Sequence, residues 1–194
     1  MLEERRQQIQ GRGCAAVGFL GSFENSFDAK GRVMLPAKYR KSLTSDGTDA
    51  KDVKPSIELV VTLSFDNELR VYTSEQFDTY LKGLFANEVN GESRFDETDA
   101  DERRMRAIVN ANSATATFDG TGRIIVPAKL RKLAQIDKEA LVEGSGEYLA
   151  IWDPDRKERF LMGEDVGGVL NDLVAKRKQR LAAARQAQNS AMGA

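Results

Sequence analysis

The chain has 194 residues, 41% of them hydrophobic, enough for one to two small domains with a core. It contains no run of about 18 apolar residues, and its N-terminus, MLEERRQQIQGRG, is polar where a secretory leader needs an apolar stretch; a soluble cytoplasmic protein without a membrane partner is expected. Histidine is absent and Cys14 is the single cysteine, which removes the usual zinc sites, the Ser-His and Cys-His nucleophile pairs and any intramolecular disulfide. No metal, cofactor or enzymatic activity is therefore expected.

The first eighteen residues carry no apolar periodicity until Val17 and read as a disordered extension. Phe19, Phe23 and Phe27 then mark a short strand. It leads into a phrase that the chain writes twice, FDAKGRVMLPAKYRKS from Phe27 and FDGTGRIIVPAKLRKL from Phe118, offset by 91 residues and identical at nine of sixteen positions. Within it, Asp28 and Gly31, or Asp119 and Gly122, form an Asp-x-x-Gly turn: the aspartate accepts backbone N–H groups and the glycine supplies a positive φ. A β-branched and apolar strand follows, Arg32 to Leu35 or Arg123 to Val126. Pro36 and Pro127 end it and suit the first position of a short helix.

At about 100° per residue, that helix carries Leu130, Leu133 and Ala134 on one side and Lys129, Arg131 and Lys132 on the other. The first copy sets Tyr39 and Leu43 against Lys38, Arg40 and Lys41. A polar loop, Ser45 to Pro55, is shortened in the second copy to Gln135 to Glu139. Paired strands come next, Ile57 to Leu63 with Leu69 to Tyr72 across Asp66-Asn67, and Ala140 to Val142 with Tyr148 to Trp152 across Gly144-Ser145-Gly146. Thr73 and Gln76 form a capping box for a helix with Phe77, Tyr80, Leu81 and Leu84 inward, and Asp153-Pro154 opens another containing Phe160 and Leu161. Between the copies, Thr98 is placed to cap a helix burying Met105, Ile108 and Val109. The tail from Glu164 is an amphipathic helix that frays past Leu181.

Net charge is only −1, but its distribution is uneven. Asp28 to Lys41 is net +4 and Asp119 to Lys132 net +3, whereas Glu88 to Glu102 is net −6. A solvated face is the plain reading of basic runs on short helices. Symmetry favours function, because Arg32/Arg123, Lys38/Lys129, Arg40/Arg131 and Lys41/Lys132 recur while neighbouring acidic positions do not. Arginine forks suit phosphate oxygens and guanine edges. Asp28, Gly31, Asp119 and Gly122 are read as turn-formers, and Tyr72 and Trp152 as core. Two copies of about 60 residues, each small for a stable domain, are expected to complete one shared barrel-like core.

The stretches FLGSFENSFDAKGRVMLPAKYR, FDGTGRIIVPAKLRKLA and EYLAIWD closely resemble the MraZ family, and the half-motif Asp-x-x-Gly-Arg-x-x-x-Pro resembles the wider AbrB-like swapped-hairpin family. The resemblance covers about Phe19 to Met162. It implies an α+β fold in which two AbrB-like swapped-hairpin half-repeats form one pseudo-dimeric β-barrel with flanking α-helices. The corresponding division is an extension over 1–18, halves over 19–84 and 113–162, a connecting helical segment over 85–112 and a helix and tail over 163–194. It further implies a sequence-specific, nucleoid-associated transcriptional regulator that represses the division and cell-wall operon containing its own gene. Its chains would form rings on repeated sites in double-stranded promoter DNA. Family DNA contacts map onto Arg32 and Arg123, with Lys38, Arg40, Lys41, Lys129, Arg131 and Lys132 near the following helix. Lys30, opposite Thr121 in the second copy, is an asymmetric candidate. The alternative is an AbrB-like antitoxin or protein-binding module, for which the acidic stretch could receive a basic partner.

Overall fold

The computed structural model describes residues 19–44, 47–54, 56–85 and 97–164, with seven positions of a C-terminal helix between Val174 and Gln186. The expected extension over 1–18 and most of the acidic stretch and the tail lie outside the described residues.

Each copy contributes the same series. The first supplies β1 (Phe19–Ser26), β2 (Arg32–Met34), α1 (Ala37–Ser42), β3 (Glu58–Leu63), β4 (Leu69–Thr73) and α2 (Ser74–Leu84). A linking helix α3 (Ala100–Ala111) precedes β5 (Ser113–Thr117), β6 (Arg123–Ile125), α4 (Ala128–Leu133), β7 (Glu139–Gly146), β8 (Leu149–Trp152) and α5 (Pro154–Leu161). The strands form a six-stranded antiparallel sheet in the order β1-β7-β8-β4-β3-β5 and a two-stranded ribbon β2-β6. Exchanging the copies reverses the six-strand order onto itself, which is the mark of a pseudo-twofold axis. That axis runs between β4 and β8, where Arg70 faces Ala150. The first strand of each copy pairs with the third strand of the other, β1 with β7 and β5 with β3.

The architecture is mixed α and β, but the sheet is open where a closed barrel was expected: β1 and β5 are its edges. The short strands that would have to join those edges are only three residues long and are hydrogen-bonded to each other instead. Two residues beyond each stands a proline, without the N–H that a ladder needs.

Strand periodicity sorts the core into layers. Leu59, Val61, Leu69, Val71, Leu149 and Ile151 point to one face and pack against Val33, Leu35, Tyr39, Ile124, Val126 and Leu130 of the ribbon and the short helices. Alternate residues point the other way, where Tyr72 meets Phe77 and Tyr80 of α2, and Trp152 meets Phe160 of α5. Tyr72 and Trp152 are buried, as expected of core residues. Beyond them, Phe85, Met105 and Val109 form a small second cluster with Phe77, Leu81, Leu84, Ile108 and Val174 around it.

Several local expectations shift. The helices after the prolines begin one residue later than anticipated: Pro36 and Pro127 hold ψ near 140° and 139° and stay outside as N-cap residues. Leu133, expected inward, is exposed, while Leu130 and Ala134 are buried. Asp99, not Thr98, caps α3, its carboxylate accepting the N–H groups of Asp101 and Glu102 at 2.8 and 3.1 Å. β7 runs through Gly144-Ser145-Gly146, where the sequence alone suggests a turn, because β1 pairs with it as far as Phe19 opposite Gly146. Gly144 is required there, since a Cβ would lie 2.3 Å from the backbone carbon of Phe19.

Candidate nucleic-acid interface

The two basic turns meet at the ribbon. β2 and β6 pair in the register Arg32 opposite Ile125, Val33 opposite Ile124 and Met34 opposite Arg123. Each strand then hydrogen-bonds the opposite turn, Leu35 N–H to the Gly122 carbonyl at 3.2 Å and Val126 N–H to the Gly31 carbonyl at 2.9 Å. The repeated turns are thus locked to each other across the pseudo-twofold.

Within each turn the aspartate does what its short side chain allows. Asp28 Oδ1 accepts the N–H groups of Lys30 and Arg32 at 2.9 and 3.0 Å, and Asp119 Oδ1 those of Thr121 and Arg123, both at 2.9 Å. The other carboxylate oxygen takes the guanidinium of its own arginine: Arg32 Nε donates to Asp28 Oδ2 at 2.7 Å, and Arg123 Nε to Asp119 Oδ2 at 2.9 Å. The pairs also cross. Arg32 Nη1 lies 3.9 Å from Asp119 Oδ2, and Arg123 Nη1 lies 3.6 Å from Asp28 Oδ2. Four charges therefore form one quartet at the surface, with the arginine side chains 26% and 29% exposed, enough to meet a ligand from one side. The Arg32 N–H holds the Asp28 carboxyl below the usual carboxylate range, with burial opposing and the Arg32 guanidinium and Lys30 N–H assisting. At Asp119 burial pulls upward but is outweighed by the Thr121 hydroxyl and by Arg123, so its carboxyl is also held low.

The lysines surround this quartet. Lys30, Lys38, Lys41, Lys129 and Lys132 are exposed. Lys38 Nζ donates to the Leu20 carbonyl at 3.1 Å and Lys129 Nζ to the Ala111 carbonyl at 2.7 Å, which ties each helix to the strand or helix beside it. Thr121, where the first copy has Lys30, instead donates its hydroxyl to Asp119 at 2.7 Å.

The helix arginines lie lower. Arg40 is buried against the turn of the other copy: a Cβ on Gly122 would lie 2.6 Å from its Cζ. It pairs with Asp49 in a two-pronged contact, Nε and Nη2 each 2.7 Å from a carboxylate oxygen, and donates Nη1 to the Leu35 carbonyl. This bond from Arg40 brings Asp49 down to about 2, with burial opposing. Arg131 packs likewise over Gly31, and its guanidinium sits 5.4 Å from the centre of the Phe27 ring. Sequence reasoning did not find Asp49 or the role of Phe27. Asp49 lies in the loop present at full length only in the first copy, so no repeat signal marks it.

Chemically, the surface offers two tethered arginine forks, flanking lysines and no group of three or more metal-ligating residues among those described. No described helix is long and apolar enough to cross a membrane.

A family model described as "MraZ protein, putative antitoxin-like" matches residues 19–101 and 110–163. The chain belongs to the MraZ family. Relatives named "Transcriptional regulator MraZ" include those of Thermomicrobium roseum, 31% identical over 71% of this chain and 82% of the relative, and Ruegeria sp., 31% identical over 75% and 83%. That of Mycoplasmoides gallisepticum is 28% identical over 73% and 86%. The matched segments contain both turns, both short helices and the linked sheet.

Proposed function

We propose that this protein is a sequence-specific DNA-binding transcriptional regulator acting from the cytoplasm on nucleoid DNA. Membership of a family whose relatives are named transcriptional regulators supports the class. The observation that carries the interface is the meeting of Arg32 and Arg123 at one exposed ribbon, each held by an aspartate of its own turn and in reach of the other's. Such a pair presents fixed forks to base edges or phosphates with little further ordering, while Lys30, Lys38, Lys41, Lys129 and Lys132 supply non-specific attraction. Arg131 joins them, and Arg40 contributes by holding the Gly122 turn in place. The exchange of β1 and β5 between copies supports the AbrB-like swapped-hairpin reading, with halves over 19–84 and 113–162.

The regulator represses the division and cell-wall operon that contains its own gene, and does so as a ring whose several copies engage repeated promoter sites. With a chain near neutrality, one module binds weakly; linked modules gain through effective concentration. The test is a gel-shift on the DNA upstream of its own gene. Arg32→Ala with Arg123→Ala is expected to abolish the specific shift, and each lost phosphate contact to flatten the slope of log K against log salt by about 0.9. Unchanged binding and slope would reject these residues. If wild-type chain ignores that DNA but retains a protein in a pull-down, the antitoxin-like reading in the family description takes its place.

A further inference from the structure

The pseudo-twofold makes Arg40 and Arg131 equivalent, yet their surroundings are unequal. Arg40 is fully engaged: Asp49 takes Nε and Nη2, and the Leu35 carbonyl takes Nη1. The Arg131 side chain has no hydrogen bond or ion pair among the described residues, and its Nε is buried without a partner. The cause lies in the sequence. The loop after α1 is long enough to bring Asp49 back over Arg40, whereas α4 is followed at once by Gln135 in the left-handed region, φ 57°, and by the turn into β7. Among the described residues no carboxylate pairs with Arg131. Instead Arg131 lines a shallow open depression of about 450 Å³ together with Ala128, Lys132, Gln135, Ile136 and Asp137.

A half-buried guanidinium without acceptors carries an uncompensated desolvation cost, which an oxyanion at its terminal Nη groups would relieve through charge-assisted hydrogen bonds. The Phe27 ring fixes the plane of the Arg131 fork from one side. Lys132 adds a second positive charge at the rim, and Asp137 there is exposed and forms no ion pair with Arg131. We propose that the depression at Arg131 is a phosphate-oxyanion site, and that in the first half Asp49 fills the equivalent position from within. The pseudo-symmetric module is therefore one-sided: the second half accepts an external phosphate and the first is closed by its own carboxylate. As part of the DNA-binding reading above, on which this assignment rests for its biological ligand, that phosphate belongs to the duplex backbone.

The experiment follows the Nε–H resonances of both arginines by nitrogen-15 NMR of the full chain, assigned with R40K and R131K. Titrated with inorganic phosphate, wild-type Arg131 is expected to shift saturably and Arg40 to stay put; D49N is expected to make Arg40 responsive too. Movement of both resonances in the wild type, or of neither, overturns the site. The same titration with promoter duplex separates the sources. Arg131 responding to both ligands supports the whole proposal, whereas a response to free phosphate alone keeps the oxyanion site and refutes its assignment to DNA. R131Q is expected to weaken duplex binding roughly tenfold or more and to flatten the salt slope by about 0.9 per chain bound. R40Q is expected to lower the melting temperature with an unchanged slope, and a slope loss equal to that of R131Q would also overturn the inequality.

Discussion

Gly122→Ala and Gly31→Ala are the same substitution at symmetry-related turns, and the structure predicts different costs. Both glycines are in the left-handed region, at φ +86° and +75°, where an alanine loses roughly 1–2 kcal/mol. At Gly31 the added methyl meets Arg131 Nη2 at 3.0 Å and the Val126 carbonyl oxygen at 3.1 Å. The Arg131 guanidinium makes no hydrogen bond among the described residues, so displacing it gives up none, and the Val126 carbonyl has to yield only a few tenths of an ångström; little is added. At Gly122 the methyl would lie 2.6, 2.7 and 2.8 Å from Cζ, Nε and Nη1 of Arg40, which Asp49 and the Leu35 carbonyl hold in place. Moving Arg40 gives up charge-assisted hydrogen bonds of roughly 1.5–3 kcal/mol. Gly122→Ala should therefore cost about 2.5–5 kcal/mol and Gly31→Ala about 1–2 kcal/mol. Equilibrium urea unfolding at fixed chain concentration measures both, since association would otherwise shift the midpoint. In the D49N background, where Arg40 is already loosened, the excess cost at Gly122 should shrink. Equal losses at the two glycines, or an excess that Asp49→Asn leaves intact, would refute the idea that Arg40 is the rigid element under the Gly122 turn.

Three other perturbations probe separate links. Gly144→Ala should detach β1, because the new Cβ would lie 2.3 Å from the Phe19 backbone; amide exchange over Phe19–Ser26 should accelerate while β4 and β8 stay protected. Thr73→Ala removes one arm of the α2 capping box, in which Thr73 Oγ1 accepts the Gln76 N–H at 3.2 Å and Gln76 Oε1 accepts the Thr73 N–H at 2.9 Å, and should cost about 1 kcal/mol by urea unfolding. Asp49, lowered to about 2 in the folded chain, contributes stability that is fully present above its unfolded value near 3.8 and is lost as pH falls toward 2. Unfolding free energies measured between pH 5 and 2.5 should fall less steeply for Asp49→Asn than for wild type.

The repeat made much of the fold legible. Asp-x-x-Gly, a short apolar strand, proline and a short helix are all local signals, and each forms within one residue of where the sequence placed it. What escaped was non-local. Nothing within Phe19–Ser26 states that it pairs with β7 of the other copy, and that pairing converts Gly144–Gly146 from an apparent turn into strand. Likewise, angular arithmetic put Arg40 and Arg131 on an outward cationic face, but a helix of six residues lying across the opposite turn has no fully outward side at those positions. A long arginine stem there packs over a glycine, and whether its charge is then satisfied depends on a loop whose length differs between the copies.

Charge and geometry are consequently divided between different residues at the candidate interface. The quartet of Asp28, Arg32, Asp119 and Arg123 sums to zero, so it adds almost nothing to the long-range field; its contribution is to fix two guanidinium planes relative to each other. The exposed lysines carry the field but, on flexible stems, little directional information. A duplex brought near by the lysines would then be discriminated by forks that lose little rotamer freedom on docking, because their aspartates have already ordered them. Removing an aspartate should therefore not act as the gain of a positive charge would. Asp28→Asn raises the net charge by one and should strengthen binding to random-sequence duplex at low salt, yet it should reduce the ratio of promoter to random affinity, since Arg32 loses its tether at 2.7 Å. Competition gel-shifts at two salt concentrations measure both quantities, and a ratio that rises or holds would show that the aspartates shape the turn without setting the arginines.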